Sequence, residues 1–178
     1  VVRITEAFVK NSRMTSTLKD STVIRRVCLE DAVCVSELLA ALGYPASVIQ
    51  AERRIALIMA SADAAIFMAE SARLAVGLAS FHRIPLFHAD GYIGRITSFV
   101  VAPSHQKRGV GRLLVTALED FAWANDCIRV EVTSGDHRPG AHAFYERVGY
   151  KLDCRRFIKP RRQLSTQISH PAPTSGRE

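Results

Sequence analysis

Cysteine is scarce and poorly spaced for chemistry. The four cysteines, at positions 28, 34, 127 and 154 of 178, include no C-x-x-C pair. This excludes the usual thiolate metal sites and disulfide frameworks, so no metal is expected, and the thiols read as buried side chains in a reducing cytoplasm. Long apolar runs are also missing. No stretch approaches the ~20 uninterrupted apolar residues of a transmembrane helix, so no membrane partner is expected. The first residues lack the apolar centre of a signal peptide. No G-x-x-x-x-G-K-[ST] phosphate loop occurs, and the dinucleotide fingerprint fails because Leu114 stands where its third glycine is needed. No internal repeat is visible.

What is present is one domain's length of chain with 48% hydrophobic residues and a net charge of +7. The location of that charge matters more than its size. Residues 1–20 contribute +2 and residues 155–178 contribute +5, whereas residues 21–154 hold 14 basic and 14 acidic residues. A neutral centre with basic ends argues against a nucleic-acid-binding face on the domain. Residues 1–20 read as a flexible leader, with Met14 or Val1 as the start, and residues 160–178 as a disordered basic tail.

Between these ends the pattern alternates strand and helix. Val23 to Val27 reads as a first strand. A helix with the stripe Val35, Leu38, Leu39 and Leu42 follows and stops at Gly43. Ser47-x-x-Gln50 is a capping box opening a second helix to about Ala60. Ala65–Glu70 and Leu74–Phe81 form a predicted hairpin, with His82–Asp90 a longer connection that Pro85 keeps out of any ladder. Tyr92–Val101 is the fourth and longest strand. After the next helix, Ile128–Thr133 alternates strictly, so strands four and five should be parallel neighbours. A short helix around Ala141, Phe144, Tyr145 and Val148 stops at Gly149, and Tyr150–Leu152 and Arg155–Lys159 read as one or two closing strands.

The junction after strand four is the most informative stretch. The β-branched run ends at Pro103, a polar loop carries Gln106, Lys107 and Arg108, and Gly109-Val110-Gly111 leads into an amphipathic helix. Its stripe is Val110, Leu113, Leu114, Ala117, Leu118, Phe121 and Ala124. The first N–H groups of a helix have no partner within it, the helix dipole adds positive charge there, and glycine lets an anion approach the backbone. With Lys107, Arg108 and Arg112 nearby, this reads as a phosphate or pyrophosphate cradle. An ordinary strand-to-helix turn would use the same glycines.

Gln106-x-x-Gly109-x-Gly111 resembles the Q/R-x-x-G-x-G/A motif of the GNAT acetyltransferase superfamily. Ala141-His142-Ala143-Phe144-Tyr145-Glu146-Arg147-Val148-Gly149-Tyr150 resembles that family's C-terminal A-x-x-F-Y-x-x-x-G-F/Y motif. The two stand in order with a strand between them, and the resemblance covers about residues 22–159. It implies an α/β (α+β type) fold: one mixed, mostly antiparallel sheet of six to seven strands flanked by about four helices, with strands four and five parallel and splayed. It also implies a domain spanning residues 21–159.

The implied activity is transfer of an acetyl group from acetyl-CoA to a primary amine, on a small molecule or a protein. Gln106, Lys107, Arg108, Gly109, Val110, Gly111 and Arg112 would hold the CoA pyrophosphate. The backbone of Phe99, Val100 and Val101 would pair with pantetheine as an added strand, and one strand N–H would polarise the thioester carbonyl. Tyr145 would protonate the departing thiolate, although it also lies on a core stripe. The resemblance implies no metal and allows a homodimer. Tyr44 and Pro45, between the first two helices, are candidates for the acceptor side, or simply loop packing.

The general base is not identified. Many relatives carry a Glu where this chain has Thr97, and neither Thr97 nor Ser98 can deprotonate an ammonium. Glu131, Asp136, His82, His88, His137 and a water relay remain as candidates. The family's Asn ahead of the last helix is also absent. Arg138 in that loop is either a CoA-phosphate contact or a surface residue. The missing carboxylate keeps open a second reading, a non-catalytic acyl-CoA-binding regulatory module.

Overall fold

The computed structural model describes residues 22–153 and 156–159. The expectations for the leader, Met14, Cys154, Arg155 and the tail lie outside those residues. The chain forms two compact units, one ending at Gly135 and the other beginning at Asp136.

The first unit is built on a five-stranded sheet in the order β1-β2-β3-β4-β5. The strands are β1 (Val23–Arg26), β2 (Ala64–Ser71), β3 (Leu74–Pro85), β4 (Tyr92–Val101) and β5 (Cys127–Val132). The first three pairings are antiparallel, and β4 and β5 are parallel as the intervening helix requires. The helices are α1 (Ala32–Leu42), α2 (Val48–Met59) and α3 (Val110–Trp123). In the second unit, α4 spans Pro139–Arg147 and Gly149 follows at φ 101°.

Local signals place the helix ends. Gly43 adopts φ 96°, the left-handed position that closes α1, and the Tyr44 N–H donates to the Leu39 carbonyl at 2.9 Å. The capping box of α2 is complete: the Gln50 N–H donates to Ser47 Oγ at 3.2 Å and the Ser47 N–H to Gln50 Oε1 at 2.9 Å.

The two faces of the sheet carry separate layers. On one, Val35 and Leu38 of α1 and Ala51 and Ile55 of α2 pack with Ile66, Met68, Leu78 and Val100. On the other lies α3, where the Phe121 ring meets Phe67 and Phe81 edge-on at centroid distances of 5.6 and 5.4 Å. Gly77 lets α3 come close, since a Cβ there would lie 2.9 Å from Leu114 Cδ1. The buried stripe of α3 is therefore Val110, Leu114, Val115, Leu118 and Ala122, rotated from the expected one, and Leu113 is left 44% exposed.

Two other expectations need correction. β3 continues through His82 to Pro85, which pairs with Tyr92; proline is tolerated there because it is the last strand residue. The closing strands at 150–152 and 155–159 are not formed among the described residues, so the sheet has five strands rather than six or seven. Their apolar side chains, Leu152, Phe157 and Ile158, are exposed, and a strand without a paired neighbour or a packed face has nothing to hold it.

One ion cluster ties β1 and β2 to the start of α1. The Arg25 guanidinium donates to both carboxylate oxygens of buried Asp31 at 2.7 Å and to Glu70 Oε2 at 2.9 Å. The Cys28 N–H adds a 2.8 Å bond to Asp31. Arg25, and secondarily the Cys28 N–H, holds the Asp31 carboxyl well below the usual carboxylate range, against the opposing effect of burial. A carboxyl depressed in this way stabilises the fold above its unfolded pKa of about 3.9 and loses that contribution as the pH falls towards the folded value. Asp31→Asn should cost about 2–3 kcal/mol at pH 7. Urea melts between pH 7 and 2 should also show a shallower acid limb in the variant; an equally steep limb would exclude Asp31 as a source of acid sensitivity.

Candidate active site

Pairing between the fourth and fifth strands ends at a definite point, the last residue of β5. Their parallel ladder runs from Tyr92↔Cys127 to Ile96↔Val132 and stops, whereas β4 continues to Val101 with β3 still paired on its other side. The register between β3 and β4 shifts at the same place. Ser80 pairs with Ser98 and Phe81 with Ile96, leaving Thr97 as the extra residue of a bulge. A bulge bends its strand and increases the local twist, and here it falls where the pairing with β5 ends. The hydroxyls of Thr97 and Ser80 share a 2.8 Å hydrogen bond that clamps the bulge, and Ser80 is buried.

Beyond the split, Phe99, Val100 and Val101 lead to Ala102 and a 3-10 turn at Pro103–His105. Gln106 folds back, its side-chain amide donating to the Val101 carbonyl at 3.2 Å. Lys107 and Gly109 both take left-handed backbone, at φ 60° and 87°, which brings the chain round into α3. Gly109 is the N-cap, so no side chain caps the helix, and the first helical hydrogen bond runs from the Leu113 N–H to the Gly109 carbonyl. The N–H groups of Val110, Gly111 and Arg112 thus belong to an uncapped first turn. A Cβ built on Gly109 would meet nothing within 4 Å, so the space over the turn is open. Lys107, Arg108 and Arg112 are exposed, and Val110 is buried beneath the turn.

The sequence profile of the acetyltransferase (GNAT) family matches residues 36–150, well over half of the chain. The chain belongs to the GNAT acetyltransferase family. It is 41% identical over 66 residues to a glucosamine 6-phosphate N-acetyltransferase of Candida albicans, a match covering 37% of this chain and 42% of that one. It is 33% identical over 84 residues to an aminoalkylphosphonate N-acetyltransferase of Salmonella typhimurium, covering 47% and 54%. The chain thus spans about half the length of the curated relatives it matches. Among solved structures, an aminoglycoside N-acetyltransferase in complex with CoA superposes with a TM-score of 0.72 at 16% identity, over 80% of this chain and 95% of that one. At that identity the likeness establishes the fold.

The remaining candidates are distributed as follows. Tyr145 lies on α4 in the second unit, where its ring meets Phe144 and Tyr150 edge-on at 5.3 and 5.6 Å. Burial pushes its phenol up to about 12, against the opposing charge of Arg138. Asp136 and His137 belong to that unit too. Tyr44 is half exposed between α1 and α2, and Pro45 is exposed. His88 is exposed in the β3–β4 connection, and His82 is partly buried on β3. Glu131 has both oxygens engaged, accepting from Arg95 Nη1 and Arg129 Nε at 2.8 Å each. Sequence reasoning missed Arg95 and Arg129, because only the register reveals that they share a carboxylate.

The clamp at the bulge can be tested directly. Thr97→Val keeps the shape but leaves the buried Ser80 hydroxyl without its partner, and should cost about 1–2 kcal/mol of stability. Ser80→Ala combined with Thr97→Val should restore part of that loss in a denaturant-melt double-mutant cycle; strict additivity would show that the hydrogen bond is not coupled.

Proposed function

We propose that the protein is an acetyl-CoA-dependent N-acetyltransferase that moves an acetyl group to a primary amine. One observation carries this reading: the β4–β5 ladder ends at Ile96↔Val132, and β4 continues past that point to Val101 and leads, through the turn at Pro103–His105, to an uncapped, glycine-led helix N-terminus. An extended arm bearing amides, ending in a pyrophosphate, fits that combination. The arm would lie along Phe99, Val100 and Val101 as an added strand, and the pyrophosphate would sit on the first turn of α3. Gln106 supports the loop through Val101, and Lys107, Arg108 and Arg112 supply positive charge beside Gly109, Val110 and Gly111. The names of both curated relatives and of the CoA-bound neighbour agree with this reading.

This direction of binding sets the chemistry. With the pyrophosphate at the loop, the acyl end points back along β4 to the bulge at Thr97. There a strand N–H polarises the thioester carbonyl, an oxyanion-type contribution. The neutral amine nitrogen attacks the carbonyl carbon, the carbon–sulfur bond breaks, the nitrogen gives up its surplus proton to water, and the thiolate takes a proton. Tyr145 is the proposed donor, because a phenol at about 12 stays protonated throughout the neutral range. The three described cysteines are free thiols, consistent with a reducing cytoplasmic setting. The two curated relatives are named for amines carrying a phosphate or phosphonate, which favours a small-molecule acceptor.

Thiol release from acetyl-CoA, followed with a chromogenic disulfide against a panel of primary amines, tests the proposal. Turnover with at least one amine supports it; acetyl-CoA binding with no turnover on any of them points instead to a regulatory module. Tyr145→Phe should lower kcat about 100-fold with little change in KM for acetyl-CoA. An unchanged kcat would remove Tyr145 from the mechanism.

A further inference from the structure

The sheet face beside the split carries a charged cluster that the transfer reaction does not use. Cross-strand partners share a face of a sheet, and so do alternate residues along a strand. Leu78, Ser80 and His82 therefore lie on one face of β3, the face on which Leu78 packs under α1 and α2. His82 pairs with Arg95, Arg95 with Glu131, and Ile93 with Arg129, which extends the same face across β4 and β5. The row His82–Arg95–Glu131 directly precedes the bulge, and Thr97 reaches the same face through its bond to Ser80.

The chemistry of this row is specific. One carboxylate holds two guanidiniums, so the group carries an excess positive charge. Arg95 donates only from Nη1 and Arg129 only from Nε among the described residues, leaving the other donors of both forks unspent. The side chains of Arg95 and Glu131 are 32% exposed and that of Arg129 is 47% exposed, so a ligand can reach them. Two guanidiniums positioned by a shared carboxylate form a receptor for an oxyanion, because the planar fork matches paired oxygens. The row also lies two strand residues, about 7 Å, from the bulge where the acyl carbon would sit.

We propose that the acceptor is a primary amine bearing an oxyanion on a short spacer, and that Arg95 and Arg129 bind that oxyanion while Glu131 positions them. This rests on the acetyltransferase reading above. It also accounts for Glu131 in a way that general-base catalysis does not, since both of its oxygens are committed to guanidiniums.

The test compares three amines of similar size: 2-aminoethylphosphonate, β-alanine and n-propylamine, the last of which has no oxyanion. The wild type should prefer the two oxyanion-bearing amines by about tenfold or more in kcat/KM, and the ratio between them shows which oxyanion the forks suit. Arg95→Gln and Arg129→Gln should each remove most of that preference, mainly through a raised KM for the two oxyanion-bearing amines. Arg129 lies on the exposed outer strand, so its variant reports on binding even if Arg95→Gln loosens the β4–β5 pairing. A wild type that favours n-propylamine, or variants that lose all three amines equally, would overturn the proposal. If no amine is acetylated, the transferase reading fails separately. Calorimetry with 2-aminoethylphosphonate then decides the fork: binding that is lost in Arg129→Gln supports it, and no binding by the wild type overturns it.

Discussion

The structure depends on where two parallel strands stop pairing. β4 and β5 are held together as far as Ile96 and Val132, and then β4 goes on paired only with β3. The bulge at Thr97 coincides with that end point, and the Ser80–Thr97 hydrogen bond holds the bend from the antiparallel side. A continuous parallel ladder would leave no room for an extended ligand between the strands. An early end without the bulge would leave both strands running side by side. The combination leaves the β5-facing edge of β4 from Thr97 to Val101 without a β5 partner, beside the Ser80–Thr97 hydroxyl pair and leading to the turn before α3.

The two layers of helices keep that edge in place. α3 is drawn onto the sheet at Gly77 and by the contacts of Phe121 with Phe67 and Phe81, so its N-terminus is anchored just beyond the end of β4. α1 and α2 cover the other face at Ile66, Met68, Leu78 and Val100. That cover sits over the far half of β4. The near half, with Arg95, continues onto the outer strand, where polar and charged side chains take over from the core. One sheet face thus serves as packing surface at one end and as a charged surface beside the split at the other.

Local signals were legible wherever a short stretch of chain determines its own conformation. The Ser47 capping box, the Gly43 stop and the hairpin between β2 and β3 need only neighbours a few residues away. Signals failed where a distant partner decides. Pro85 reads as a ladder breaker, yet it ends a strand whose other residues are paired. Leu113 fits a helical stripe as well as Val115 does, and only the approach of α3 at Gly77 selects between them. Residues 150–152 alternate convincingly, but alternation does not provide a neighbouring strand.

By itself, the sequence determined the order of elements, the parallel relation of β4 and β5, and the glycine-led start of α3, because periodicity, turn chemistry and helix-end chemistry act over a few residues. The membership of the family was legible for the same reason, since its two motifs are contiguous runs. Only the tertiary structure decided that Thr97 is a bulged residue and that Arg95, Glu131 and Arg129 meet on one face beside the split. Those facts are register facts. A shift of one residue between strands would send every one of these side chains to the opposite face, and no local pattern in the chain encodes that choice.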